Sequence, residues 1–290
     1  MTRQDRSPLA DTEVHALRSE AVGDEYTILI GHCGASRSVP GPVLFTGDAW
    51  ANFGTAVETV RLLRLSESVP PMLVVAVAYR TQALPEIFML RSRDFTPSVD
   101  PAYARTSDAA MMGGAGRFLA FLRDELKPWV EDTHGIDPSD SMYFGYSLGG
   151  LFATHVLLTE PTVFRRYGIG SPSLWWANGE PFDREAEYAK THDDLPADVF
   201  FSIGEFETIP GRRRYVEQLP AGRRAKARAE DEADPPLDAV ADATRMVEAL
   251  RSRGYPRLKI EFEILPGEYH ETAPPLTLSR ALRRLFGAPR

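Results

Sequence analysis

The chain has 290 residues, 43% of them hydrophobic and 26% charged, enough for one large domain with a substantial core. A formal net charge of −8 argues against a nucleic-acid binder, and the single cysteine, Cys33, excludes an intramolecular disulfide. The longest apolar run, residues 72–79, is far too short to cross a bilayer.

The N-terminal stretch MTRQDRSPLADTEV is polar and lacks the apolar core of a secretory signal. Together with the lone cysteine this predicts a soluble, cytoplasmic protein with no membrane partner. Residues 1–20 are read as a flexible segment. YTILIGHC (26–33) is rich in β-formers and reads as a strand, followed by turn chemistry in SRSVPG (36–41). PVLFTGD (42–48) and MLVVAVAYR (72–80) are short apolar runs of the kind buried on both faces of a sheet. Between them Phe53, Val57, Val60 and Leu63 recur at helical spacing. Strand and helix alternate, which predicts an α/β fold with parallel strands joined by crossovers.

From 83 to 110 the periodicity disappears, and RSRDFTPSVDPAYARTSD reads as a long loop of the kind that often carries function. GRFLAFLRDELKPWVEDTHG (116–135) reads as an amphipathic helix stopped by Gly135. A strand into residue 147, a helix to 158, a short strand and loop in YGIGSPSLWW, and a strand in ADVFFSIGE follow. Residues 210–236 carry a basic block and then an acidic one. They read as a solvated, mobile excursion, with a substrate-facing flap as the alternative. A helix stopped by Gly254, an alternating strand in LKIEFEILPG and a final helix close the chain.

Gly145-Tyr146-Ser147-Leu148-Gly149 matches Gly-x-Ser-x-Gly and sits between a predicted strand and a predicted helix, the setting a nucleophile elbow requires. The plainer reading is a strand-to-helix turn with a capping serine. As a nucleophile, Ser147 needs an acid and then a histidine downstream. Of the six histidines only His270 is suitably placed, in the loop after the last strand. His15, His32, His134, His155 and His192 show no metal-ligand spacing, and no metal or cofactor is expected. The acid should follow VFFSIG. Glu205 and Glu207 both stand there; Glu207, three residues past Gly204, is preferred, and a Ser–His dyad without an acid stays open. The free N–H of Leu148 at a helix start suits a developing oxyanion, and the backbone N–H of Asp48 or a neighbour is the candidate second donor.

With these pieces in place the chain resembles the putative esterase family of α/β-hydrolases, closest to the branch of siderophore trilactone esterases that includes enterobactin and bacillibactin hydrolases. The markers are PVLFTGDAW, Tyr79-Arg80, RSRDFTP, FLRDELKPWVE, GYSLGGLFATHVLL, SPSLWW, SIGEFE and PGEYH. Thr46-Gly47 stands where the branch usually has Asp-Gly. The resemblance implies a mostly parallel, eight-stranded sheet flanked by helices, formed by residues 21–290 as one α/β-hydrolase domain. It also implies a cofactor-free serine esterase, with Ser147 as nucleophile and His270 as base, acting on a small-molecule ester. In that branch an arginine of the RSRDFTP loop faces an acidic or catecholate substrate, which points to Arg91 or Arg93; pairing with Asp94 is the alternative. Trp175 and Trp176 are candidates to line the acyl or aryl pocket, or to pack in the core. Rival functions are an acyltransferase using the same acyl-serine and a non-catalytic binding module.

Overall fold

The computed structural model describes residues 9–233 and 237–287. Strands β1 (Thr12–Ser19), β2 (Asp24–Cys33) and β3 (Val43–Thr46) precede helix α1 (Ala49–Leu65), and β4 (Met72–Ala78) precedes α2 (Leu84–Phe95). Helices α3 (Ala115–Ala120) and α4 (Lys127–His134) are continuous through a π-helical segment, Phe121–Leu126, and end at Gly135 with φ 65°. Then come β5 (Ser141–Tyr146), α5 (Leu148–Leu157), β6 (Arg166–Gly170), α6 (Trp176–Thr191) and β7 (Asp198–Gly204). Helices α7 (Ile209–Gln218), α8 (Ala221–Ala233) and α9 (Ala239–Ser252), strand β8 (Lys259–Leu265) and α10 (Pro274–Phe286) complete the chain.

The eight strands form one sheet in the order β1-β2-β4-β3-β5-β6-β7-β8. β2 pairs antiparallel with β1 and β4; every pairing from β4 to β8 is parallel. β3, β5 and β6 are buried along their whole length, as expected where helices cover both faces. Helices α1 and α10 pack on one face with Phe53, Val57, Leu278 and Leu282. The long α3–α4 helix, α5, α6 and α9 cover the other, where Phe45, Phe118, Phe121 and Phe152 are all at most 1% exposed. Burial of each such side chain stabilises the fold by about 1.5–3 kcal/mol.

Four expectations need correction. The segment read as flexible, 1–20, contains β1; residues 1–8 lie outside the described residues. β1 is an edge strand with a half-exposed, polar pattern, so it lacks the apolar run that marks the inner strands. The stretch read as a loop from 83 holds α2, whose buried face mixes Arg91, Ser92 and Asp94 with Ile87 and Phe95, which hides the helical period. The excursion at 210–236 holds α7 and α8, helices rich in arginine; residues 234–236 lie outside the described ones. Helix α6 was not anticipated. Its start is masked by Asn178, Gly179 and Pro181, and Ala177–Gly179 adopt left-handed φ of 47°, 58° and 91°.

Candidate active site

Ser147 stands between β5 and α5 with φ 60° and ψ −119°, a conformation that costs a non-glycine residue about 1–3 kcal/mol. The strain is held from both sides. The Ser147 N–H donates to the Gly170 carbonyl at 3.0 Å, and the Ser147 carbonyl accepts from Ser173 N–H at 3.2 Å and Leu151 N–H at 2.9 Å. The turn is possible because Gly145 has no side chain: a Cβ there would lie 2.0 Å from the Gly149 carbonyl oxygen. A Cβ on Gly149 itself would meet nothing closer than 3.6 Å, so of the two motif glycines only the first is sterically required.

The last strand, β8, delivers His270 to this turn. The loop after it is tied at several points. Phe206 N–H donates to the Glu268 carbonyl at 3.0 Å, Tyr269 N–H to Thr272 Oγ1 at 2.9 Å, and Tyr146 Oη to the His270 carbonyl at 2.7 Å. His270 Nε2 then lies 3.1 Å from Ser147 Oγ, although 123 positions separate the two residues. His270 Nδ1 lies 2.6 Å from Glu207 Oε2. The Glu207 carboxylate is 7% exposed, and its other oxygen accepts from Ser171 Oγ at 2.6 Å and from Gly204 N–H at 2.8 Å. An ionised carboxylate only accepts, so it fixes the imidazole proton on Nδ1 and leaves Nε2 free to accept from the serine hydroxyl. Glu205 points elsewhere, accepting from Gly267 N–H at 2.7 Å at the tip of the loop.

Leu148 opens α5, where first-turn N–H groups have no acceptor within their own helix. Asp48 caps α1 in a left-handed conformation, φ 49° and ψ 44°. Its carboxylate lies 3.6 Å from the position of a Cβ on Gly149, so the β3–α1 turn and the serine turn adjoin. Two backbone turns and a Ser–His–Glu chain therefore meet at one point, at the C-terminal ends of β3, β5, β7 and β8, where ligands bind in open α/β sheets.

A cavity of about 960 Å³ opens onto His270 and Glu207. Tyr103, Trp175, Phe182, Phe206, Tyr215 and Tyr269 give it an aromatic wall. Charge comes from Arg105, Arg212 and Arg245, set against Asp100, Asp231, Asp242 and Glu271. Arg212 and Asp231, on α7 and α8, pair at 3.0 Å across one side, so the charged excursion forms part of the wall.

The family model described as Putative esterase matches residues 19–254. The chain belongs to this family. It is accordingly a carboxylic-ester hydrolase. It is 32% identical to the ferri-bacillibactin esterase BesA of Bacillus subtilis (strain 168), across 94% of this chain and 88% of that one. It is 29% identical to a siderophore triacetylfusarinine C esterase of Aspergillus fumigatus, across 85% and 82% of the two chains. Among solved structures, the BES protein from Bacillus cereus superposes with a TM-score of 0.74 at 27% identity, covering 99% of both chains. The siderophore hydrolase EstA from Aspergillus nidulans, at 23% identity and a TM-score of 0.78 over 98% of both chains, shares the fold.

Against this family background, the two arginines read as substrate contacts require correction. Arg91 is buried and grips Asp48 with both arms, Nε to Oδ1 at 2.9 Å and Nη2 to Oδ2 at 2.7 Å. Arg93 binds Asp94 at 2.7 Å and Asp24 at 2.8 Å and leans on Tyr26. Neither lines the cavity. Arg91 instead anchors the β3–α1 turn through the Asp48 carboxylate. The paired tryptophans divide: Trp175 lines the cavity, whereas Trp176 is fully buried and donates to the Ser98 carbonyl at 3.3 Å. The aromatic wall from Tyr103, Phe182, Phe206, Tyr215 and Tyr269 went unread in the sequence, because these positions converge only through the fold. Among the described residues no helix is long and apolar enough to cross a membrane.

Proposed function

We propose that the chain hydrolyses bulky carboxylic esters of the siderophore type, with cyclic trilactones as the leading class, through an acyl-serine at Ser147. The observation that carries the reading is the unbroken Ser147–His270–Glu207 chain, at 3.1 and 2.6 Å, whose His270 and Glu207 line a 960 Å³ aromatic cavity. Ser147 Oγ attacks the ester carbonyl carbon while His270 Nε2 takes its proton, and the Glu207 carboxylate stabilises the resulting imidazolium. The negative carbonyl oxygen sits against the Leu148 N–H and an N–H of the Gly47–Asp48–Ala49 turn. Collapse of the tetrahedral species breaks the C–O bond, and His270 returns the proton to the departing alkoxide. Water, deprotonated by the same imidazole, then attacks the acyl-serine and regenerates the enzyme. The His270 side chain is 43% exposed, which gives water access for that second half.

The relatives that carry siderophore esterase names support the substrate class, as does the cavity, whose aromatic wall suits aryl ligands. The test is a substrate panel on purified protein: p-nitrophenyl acetate, a linear aryl ester, and the trilactones enterobactin and bacillibactin, iron-free and iron-loaded. The trilactones are expected to show the highest kcat/KM, and Ser147→Ala to abolish turnover of all of them. Preference for the small ester, or transfer of the acyl group to an added alcohol in preference to water, would refute the substrate class or the hydrolytic outcome respectively.

A further inference from the structure

Three histidines that look unrelated in sequence come together at the β1–β2 edge of the sheet, with β2, β4 and β3 lying between β1 and the serine-bearing β5. Glu13 and His15 are two apart on β1 and share a face. The β1–β2 register, Glu13 opposite Ile30 and His15 opposite Ile28, puts His32 on that same face, diagonal to Glu13. His134, the last residue of α4, comes down onto them. Glu13 Oε2 lies 2.7 Å from His15 Nε2, and Glu13 Oε1 lies 2.7 Å from His32 Nε2. The His134 ring lies 5.5 Å from that of His32 and 6.1 Å from that of His15. Trp129 packs edge-on against both His15 and His134 at 5.1 and 5.7 Å and walls off one side.

We propose that Glu13, His15 and His134 bind a divalent transition-metal ion of the Zn²⁺ class, with His32 holding the free oxygen of the Glu13 carboxylate. Donor atoms from the three ligands already lie within 4.8 Å of one another. A second observation points the same way. Hydrogen bonds within the cluster occupy both Glu13 oxygens and the Nε2 atoms of His15 and His32, yet among the described residues His134 Nε2 is buried with no hydrogen-bond partner. An unpaired buried nitrogen is costly, and an ion seated among the three groups would give it a bond. Two imidazoles and one carboxylate suit Zn²⁺, Ni²⁺ or Cu²⁺, not the all-oxygen shells of Ca²⁺ or Mg²⁺. Ligand bonds of about 2.0–2.2 Å require the donors to close up by side-chain rotation, and they leave a fourth position for water. His15 frees its Nε2 by carrying its ring proton on Nδ1. The ion would clip the first strand to the end of α4. The site is separate from the esterase site and does not depend on that reading.

The decisive experiment uses the full chain without an affinity tag, stripped by chelator and titrated with ZnCl₂ by calorimetry, with Tm followed in parallel. One Zn²⁺ per chain and a Tm that climbs with Zn²⁺ concentration are expected. His134→Gln and His15→Gln should abolish both, and His32→Ala should weaken binding about 10–100-fold. His270→Gln, which removes the other imidazole–carboxylate pair, should leave them intact. X-ray absorption of the Zn²⁺-loaded wild type should show two imidazole nitrogens with oxygen in the remaining positions, a readout that does not depend on any variant folding. Absence of saturable binding, binding that survives both glutamine variants, or a shell without imidazole would overturn the proposal.

Discussion

Glu205 and Glu207 stand two residues apart beyond β7, and folding gives them different partners. Glu207 turns back onto His270, Ser171 and the Gly204 N–H, whereas Glu205 closes the Gly267 turn of the loop that carries His270. In the proposed mechanism Glu207→Gln leaves the geometry and loses the charge that fixes the imidazole proton, so kcat should fall about 10³–10⁴-fold. Glu205→Gln keeps an acceptor for Gly267 and should cost about tenfold or less, the worth of one weakened hydrogen bond. Steady-state kinetics on p-nitrophenyl acetate compares the two, and a larger loss in Glu205→Gln would reverse the assignment. That Ser147, Glu207 and His270 converge was legible in sequence because the serine motif and the order serine, acid, histidine are local or ordinal signals. The roles of Arg91 and Trp176 were not, since sequence shows that a guanidinium or an indole is present but not which way it points. Arg91 turns inward to Asp48, a partner 43 positions away.

At the scale of elements, the β5–α5 turn is the feature on which the site depends. A methyl group on Gly145 would collide with the Gly149 carbonyl oxygen at 2.0 Å, while Gly149 has room for one. Gly145→Ala should therefore destabilise the protein by about 1–3 kcal/mol or more through overpacking. Gly149→Ala should be neutral or stabilising by about 0.5–1 kcal/mol, because alanine is the better helix residue. Urea unfolding of the two variants reads the difference directly, and equal losses would contradict this account of the turn. Inner strands were legible as short apolar runs, and helix α1 from the helical spacing of Phe53, Val57, Val60 and Leu63. Helix α2 was not, because the side it buries holds an ion-paired arginine and aspartate. Helices α7 and α8 were obscured by charge blocks that resemble a solvated coil, although Arg212 and Asp231 within them join across the cavity.

Across the whole molecule, the strand order brings the ends of β5, β7 and β8 together and so assembles a site from residues 123 positions apart. Stability of that assembly should depend on pH through His155, buried in α5. Burial, with a smaller contribution from the Arg184 charge, pushes its imidazole down to about 4. In the unfolded chain it titrates near 6.5, so between those values the unfolded state binds the extra proton. The associated stability is present above about pH 6.5 and is lost as pH falls towards 4, by up to about 3 kcal/mol. His155→Leu should lose less stability than wild type between pH 7 and pH 4.5 in urea titrations; parallel losses would show that His155 does not titrate as described. The central claim, that Ser147 carries the acyl group, is tested most directly by intact-protein and peptide mass spectrometry after rapid acid quench during turnover of p-nitrophenyl acetate. The account predicts an acetyl adduct on the peptide containing Ser147 in the wild type, with neither adduct nor turnover in Ser147→Ala. Full turnover in Ser147→Ala, or an adduct confined to another residue, would contradict it.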